Sequence, residues 1–382
     1  MAGKRTSNST ANFAMSGRNL ILVIIAFVTV FYIIANQALV ITNLQSLSLY
    51  IYDLTHSSKA SEVIYQVPIT LYNNQVNSSY SGQAFQQMVI INSSDYLSYE
   101  ASNLDNIEFF YPNGTVIYSW LEGNVNYLSS SSSLNSSRNH NIYWLRLVHV
   151  PEPKAPMLIY MGFAPKTTNL FDGVRVGEAP QLSSTYAQYD NGAEVFNFYD
   201  NFAGKALNLQ WTASSTAYNV DDGLSLISGS TSNHAYISSG VLFGPYNTID
   251  TLGRIYDTLS IGGAYIGIVN NTNSNAGSLI TALESGGGTA CANDNDRDLI
   301  KTTIATANTF GVWTISVLPG SANCYLNYSN KVSVNVEQGP LPQPLTYSTY
   351  GSPLPELYSQ WIRVRTTPPN DTMPSVRIGN IH

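Results

Sequence analysis

The run Asn293-Asp294-Asn295-Asp296-Arg297-Asp298 places carboxylates at alternate positions, as at the start of an oxygen-ligand loop for Ca2+. Its continuation departs from such a loop. Leu299 stands where the sharp turn wants glycine, and Ala305 where a bidentate glutamate belongs. Asp294, Asp296 and Asp298 are therefore candidate calcium ligands, with a solvated acidic turn as the alternative. Calcium is the one cofactor these residue types suggest.

Cys291 and Cys324, the chain's two cysteines, flank this run. Their spacing is unlike the C-x-x-C of redox or zinc sites, and in an oxidising exterior it reads as a disulfide. Two unpaired thiols on neighbouring strands are the alternative.

Residues for catalysis are scattered. His56, His140, His149, His234 and His382 lie far apart, and there is no G-x-S-x-G, H-E-x-x-H, P-loop or dinucleotide fingerprint. A glycosidase needs two carboxyl groups at a fixed separation. The Glu-x-Asp-x-x-Glu strand of sandwich-fold glucanases is missing, so hydrolysis would need another pair, such as Glu284 or Glu337 with an aspartate.

Aromatic side chains suggest binding instead. Tyr218 and Tyr265 are candidate sugar contacts in polar surroundings, whereas Trp120, Trp144, Trp211, Trp313 and Trp361 sit among alternating apolar residues and read as core. Seven N-x-S/T sequons, at Asn77, Asn92, Asn113, Asn135, Asn270, Asn327 and Asn370, fall in predicted turns and are candidate glycan acceptors. Asn8 fits the same pattern but precedes the apolar run described next.

The elements that must position these residues follow a change of pattern near residue 60. Lys4, Arg5 and Arg18 precede an uncharged stretch from Asn19 to Tyr52 that contains LILVIIAFVTVFYII. About 20 apolar residues match the thickness of a bilayer core. With Arg18 before the run and no basic residue after it until Lys59, the positive-inside rule predicts a cytoplasmic tail over 1–18, a membrane helix over 19–42 and a stalk over 43–62, with the C-terminal part outside. A cleaved signal peptide, giving a secreted protein, is the alternative.

Beyond the stalk, short alternating segments such as VIYQVPITLY, QMVIIN, IYWLRLVHV, MLIYMGF, AYISSGVLF, GVWTISVLPG and YSQWIRVRTT are bounded by Asn, Gly, Ser and Pro. They read as strands and turns. A hairpin is expected over 107–120, turning at Pro112-Asn113-Gly114. Asp296–Asn308 is read as a strand because β-branched residues dominate it. The fold class is all-β: two β-sandwich domains, over 63–193 and 194–382, behind an N-terminal transmembrane helix. Beyond the apolar run, 14 basic against 24 acidic residues leave −10, which argues against a nucleic-acid partner.

Two resemblances add to this. NLDNIEFFYPNGTVIYSWLEG at 103–123, IYWLRLVHVPEP at 142–153 and LIYMGFAP at 158–165 resemble a family of unknown function found in archaeal and bacterial surface proteins. Met161-Gly162 stands there in place of Tyr-Gly. FYDNFAGKALNLQWTAS at 198–214 and YSQWIRVRT at 358–366 resemble the opening and closing strands of a concanavalin A-like jelly roll, which follows that domain in such proteins. The resemblance implies architecture more than activity, because the sandwich is shared by lectins, glycanases and structural modules. The expected function is a membrane-anchored, non-enzymatic extracellular protein that binds glycans or mediates adhesion or cell-envelope contact, with glycans or envelope proteins as partners. A pilin-like or envelope subunit and a polysaccharide hydrolase are the alternatives.

Overall fold

The computed structural model describes residues 63–75, 84–124, 140–214, 218–227, 235–256, 262–268, 278–284, 288–294, 299–305, 309–335, 343–351 and 356–382. All belong to one compact unit, Ser58–His382. The expected tail, membrane helix and stalk lie outside the described residues. Among the described residues no helix is long and apolar enough to cross a membrane.

Period-two alternation sets most of the strands. In Tyr65–Tyr72, Val67, Ile69 and Leu71 are fully buried and their neighbours are not, as a pleated strand over a core requires. The strands form four sheets, named A to D here. In spatial order, sheet A comprises Ser375–Ile378, Tyr65–Tyr72, Met157–Phe163, Ile107–Phe110 and Val116–Ile117. Sheet B comprises Phe85–Asn92, His140–Leu147, Ser119–Asn124 and Val176–Glu178.

Sheet C runs Tyr218–Val220, Leu224–Ile227, Glu356–Thr366, Asn247–Tyr256, Gly311–Leu318, Ser321–Leu326 and Ser329–Asn335, with Phe198–Asp200 pairing beside Glu356–Thr366. Sheet D runs Trp211–Ala213, Ala235–Phe243, Gln343–Gly351, Gly262–Ile268, Ser278–Glu284, Gly288–Asp294 and Leu299–Ala305. The last of these is the strand expected within Asp296–Asn308.

Three apolar clusters stack these sheets into layers. Sheets A and B enclose Val67, Ile69, Phe109, Leu145 and Met161. Sheets C and D enclose Leu226, Ile237, Ile266, Ile315, Tyr347 and Val364. A third cluster, with Trp120, Ile142 and Trp144 of sheet B against Leu252, Val312 and Trp361 of sheet C, joins the two sandwiches. Each buried Trp removes about 150–250 Å2 from water, so this seam is built like a core and not like the polar contact usual between domains.

Two expectations need correction. The hairpin at 107–120 is shorter than predicted: Ile107–Phe110 pairs with Val116–Ile117, and the chain then changes sheets at Tyr118, so that Ser119–Asn124 joins sheet B. Only Gly114 of its turn takes a positive φ, +84°. The second domain, expected to run to His382, does not keep its last strand. Ser375–Ile378 returns to sheet A and pairs antiparallel with Tyr65–Tyr72, while Gln66 and His382 exchange backbone hydrogen bonds at 3.0 Å.

Candidate functional site

The densest polar constellation lies in the seam between the sandwiches. Along Glu356–Thr366, Ile362 and Val364 face the core of the second sandwich while Trp361, Arg363 and Arg365 face sheet B. Along Ser119–Asn124 the same alternation sends Trp120 and Glu122 toward sheet C and Leu121 into the first core.

Arg363 is fully buried there. It pairs with Glu122 Oε2 at 2.9 Å and donates from Nε to Asp250 Oδ2 at 2.9 Å. Its guanidinium carbon lies 4.2 Å from the ring centre of Trp144, 4.7 Å from those of Phe196 and Trp361, and 5.2 Å from that of Trp120. Arg365 donates to the same Asp250 oxygen at 2.8 Å, and Thr314 Oγ1 donates to Asp250 Oδ1 at 2.7 Å. Tyr328 donates to Glu122 at 2.7 Å and accepts from Arg363 Nη2 at 2.6 Å. Trp144 Nε1 donates to Glu122 Oε2 at 2.7 Å.

Two guanidinium groups face two carboxylates, and the charges cancel. Burial pushes the Asp250 carboxyl up, but Arg365 and Arg363 more than offset it and hold it at about 2. Burial raises the Tyr328 hydroxyl well above its ordinary range, against the opposing charge of Arg363. A carboxylate held ionised in a sealed ion pair has no proton to give a leaving group and no path to a substrate. This centre fastens the sandwiches together. It is not a reaction site.

A second buried carboxyl, Glu100, lies in the first sandwich. Burial pushes it up to about 7, with a Ser93 hydrogen bond and the Lys166 charge opposing. Its Oε2 and the nearby Tyr143 hydroxyl are buried and have no hydrogen-bond partner among the described residues.

The open chemistry lies farther along the outer face of sheet C. Asn219 stands opposite Ser225, Ser225 opposite Tyr358, and Tyr358 opposite Arg254, and antiparallel register partners share a face. The flanking Val220, Leu224, Leu226, Leu357 and Ile255 point into the core. A bulge between Leu252 and Gly253 sets this register. Gly253 is required there, because a Cβ would come within 2.0 Å of the Tyr358 carbonyl oxygen. Arg254 and Asn219 are exposed, and Ser225 and Tyr358 are half-buried. Phe310, 39% exposed, sets its ring 6.5 Å from that of Tyr358 with the planes 32° apart.

The residues singled out from sequence fall elsewhere. Tyr218 is half-buried against the second core in sheet C, and Tyr265 is 8% exposed in sheet D, so the structure does not bring them together. Cys291 of sheet D and Cys324 of sheet C are joined by a disulfide across the second sandwich. Asp296, Asp298 and the Asp294 side chain lie outside the described residues, as do Glu337 and the Glu284 side chain. Among the described residues no group of three or more His, Cys, Asp or Glu could hold a metal ion.

Asn77, Asn135 and Asn270 also lie outside the described residues. Asn113 is exposed at a turn, where its Oδ1 accepts from Thr115 N at 3.0 Å. Asn370 is exposed and donates to Gln75 Oε1 at 2.8 Å. Asn92 and Asn327 are half-buried, and Asn327 Oδ1 accepts from Val312 N at 2.9 Å. All five Trp are buried, but Trp120, Trp144 and Trp361 occupy the seam and not a sandwich interior.

These sheets and this seam define a layered β-sandwich protein. No protein-family model matches the chain, so the similarity read at 103–123, 142–153 and 158–165 stays a resemblance. A curated relative, Uncharacterized protein 562 of Sulfolobus islandicus rod-shaped virus 1, is 33% identical over 140 residues, which is 35% of this chain and 22% of the relative. The matched region therefore spans about a fifth of that relative's length.

Among solved structures, an uncharacterised protein from Mycobacterium paratuberculosis aligns with 44% of this chain and 99% of its own, at 13% identity and a TM-score of 0.37. A Bacillus licheniformis beta-glucanase aligns with 44% of this chain and 97% of its own, at 11% identity and a TM-score of 0.37. The sandwich assignment rests on the paired sheets C and D themselves and not on these similarities.

Proposed function

We propose that the protein is a non-enzymatic surface protein that binds glycans through the outer face of its second sandwich. The observation that carries this reading is a contrast within sheet C. Where its outer face carries the Asp250 carboxylate and the Arg363 and Arg365 guanidinium groups, these are paired with one another and with Glu122 of sheet B and sealed under the first sandwich. Where the face is open, it presents an aromatic pair flanked by an amide, a hydroxyl and a guanidinium. Flat apolar rings beside directional polar groups suit a sugar, which has an apolar ring face and a hydroxyl rim.

The segment over 19–42 would anchor the chain, with the N-terminus cytoplasmic and the sandwiches outside. Arg18 before the segment and the lack of a basic residue until Lys59 support that orientation. The test is binding of the full chain to a broad glycan array, with and without a calcium chelator, alongside an assay for released reducing sugar. Saturable binding without release is expected. A blank array on folded protein would overturn the reading in favour of a structural envelope subunit, and sugar release would overturn it in favour of a hydrolase. Loss of binding on chelation would assign calcium to the Asp294–Asp298 run.

A further inference from the structure

We infer that the row Asn219–Ser225–Tyr358–Arg254, with Phe310, is a site for an acidic saccharide, one carrying a carboxylate or sulfate. This rests on the glycan-binding reading and specifies where and what the protein binds. Adjacent strands lie about 4.8 Å apart, so four residues in register span about 14 Å, a platform for a short oligosaccharide and not for a single small ion.

The charge of the ligand follows from Arg254. It is exposed, and among the described residues no ion pair or side-chain hydrogen bond engages it. The fork of donors on a guanidinium matches a planar carboxylate or a sulfate in two parallel hydrogen bonds. The carboxylates of the adjoining turn are already engaged: Asp221 lies 3.9 Å from Lys205 Nζ, and Asp222 Oδ1 accepts from Gly204 N at 2.9 Å. Glu356 lies one row along the same face, opposite Ile227, and as a like charge it directs the acidic group of a ligand to the Arg254 end and sugar hydroxyls to itself.

The aromatic part is held in place. Gly223, at φ +145°, lies under Tyr358, and a Cβ there would come within 3.1 Å of the Tyr358 hydroxyl. Phe310 tilts toward Tyr358 at the other side of the row. A sugar ring stacked on this pair would direct its acidic substituent to Arg254 and its hydroxyls to Ser225 and Asn219.

The experiment is a calorimetric titration of the full chain with a uronic-acid trisaccharide and with its methyl ester, for the unaltered protein, Arg254→Gln and Tyr358→Ala. Charge-assisted hydrogen bonds correspond to roughly 10-fold or more in affinity. The free acid should therefore bind at least about 10-fold tighter than the ester, Arg254→Gln should erase that difference, and Tyr358→Ala should weaken both. Both substitutions lie outside the cores, and a circular-dichroism melt checks folding. Equal affinity for acid and ester, or acid binding unchanged in Arg254→Gln, would overturn this site while leaving glycan binding intact. No binding here together with a blank array would overturn both.

Discussion

Arg363 of the second sandwich meets Glu122 of the first at 2.9 Å, inside a box of four aromatic rings. The pair ties the two sandwiches to one another: Arg363 also holds Asp250 within its own sheet, whereas Glu122 takes its ion pair from across the seam. Removing Arg363 leaves the Glu122 carboxylate without its ion-pair partner in a low-dielectric seam, while Asp250 keeps Arg365. Arg363→Ala should cost about 3–5 kcal/mol, measured by urea denaturation, and unaltered protein should unfold through the seam and both cores in a single transition. Two separate calorimetric transitions would show that the seam does not couple the sandwiches.

Two carboxyls give opposite pH dependences. Asp250 is depressed to about 2 in the folded protein, so its contribution is present above its unfolded value of about 3.9 and lost as pH falls through 2. Glu100 is raised to about 7. Its neutral form favours folding below its unfolded value of about 4.3, and that contribution is lost as pH rises through about 7. Glu100→Gln should therefore flatten the fall in stability between pH 4.5 and 8, read as midpoint against pH. An unchanged slope would place the titration elsewhere.

The Cys291–Cys324 bond crosses from sheet D to sheet C and closes a separation of 33 residues. Replacing both cysteines with serine should lower stability by about 2–4 kcal/mol under oxidising conditions and leave the reduced proteins alike. Equal stability of oxidised and doubly substituted protein would contradict this.

Glycan acceptors should differ by their engagement in the fold. In protein from a host that transfers oligosaccharide to N-x-S/T, mass spectrometry should find Asn113 modified and Asn327 bare. Asn113 is exposed at a turn, while Asn327 holds the backbone of Val312. The reverse pattern would mean that modification precedes folding of that turn.

The sandwiches were legible because Val67, Ile69 and Leu71, or Ile362 and Val364, alternate with more polar neighbours at period two. The seam was not. Trp361-x-Arg363-x-Arg365 and Trp120-x-Glu122 carry the same period, but a strand face of charges ordinarily faces water, and only tertiary contact shows that these two faces meet. The signal available was tryptophan sharing a face with arginine in one strand and with glutamate in another.

The open row was hidden for a different reason. Its members come from three separated segments, and a bulge that leaves Gln360 unpaired opposite Leu252 and Gly253 decides that Arg254 stands opposite Tyr358. Tyr218 and Tyr265 are tyrosines in polar sequence surroundings, yet pleating turns Tyr218 toward the core and leaves its neighbour Asn219 outward.

We propose that this fold presents a binding surface rather than a reaction centre. The most direct measurement incubates the full chain with an acidic polysaccharide and follows bound fraction and polymer length together by size-exclusion chromatography. Saturable co-elution with polymer length unchanged is the predicted result. Shortened polymer would contradict the account, and so would the absence of co-elution.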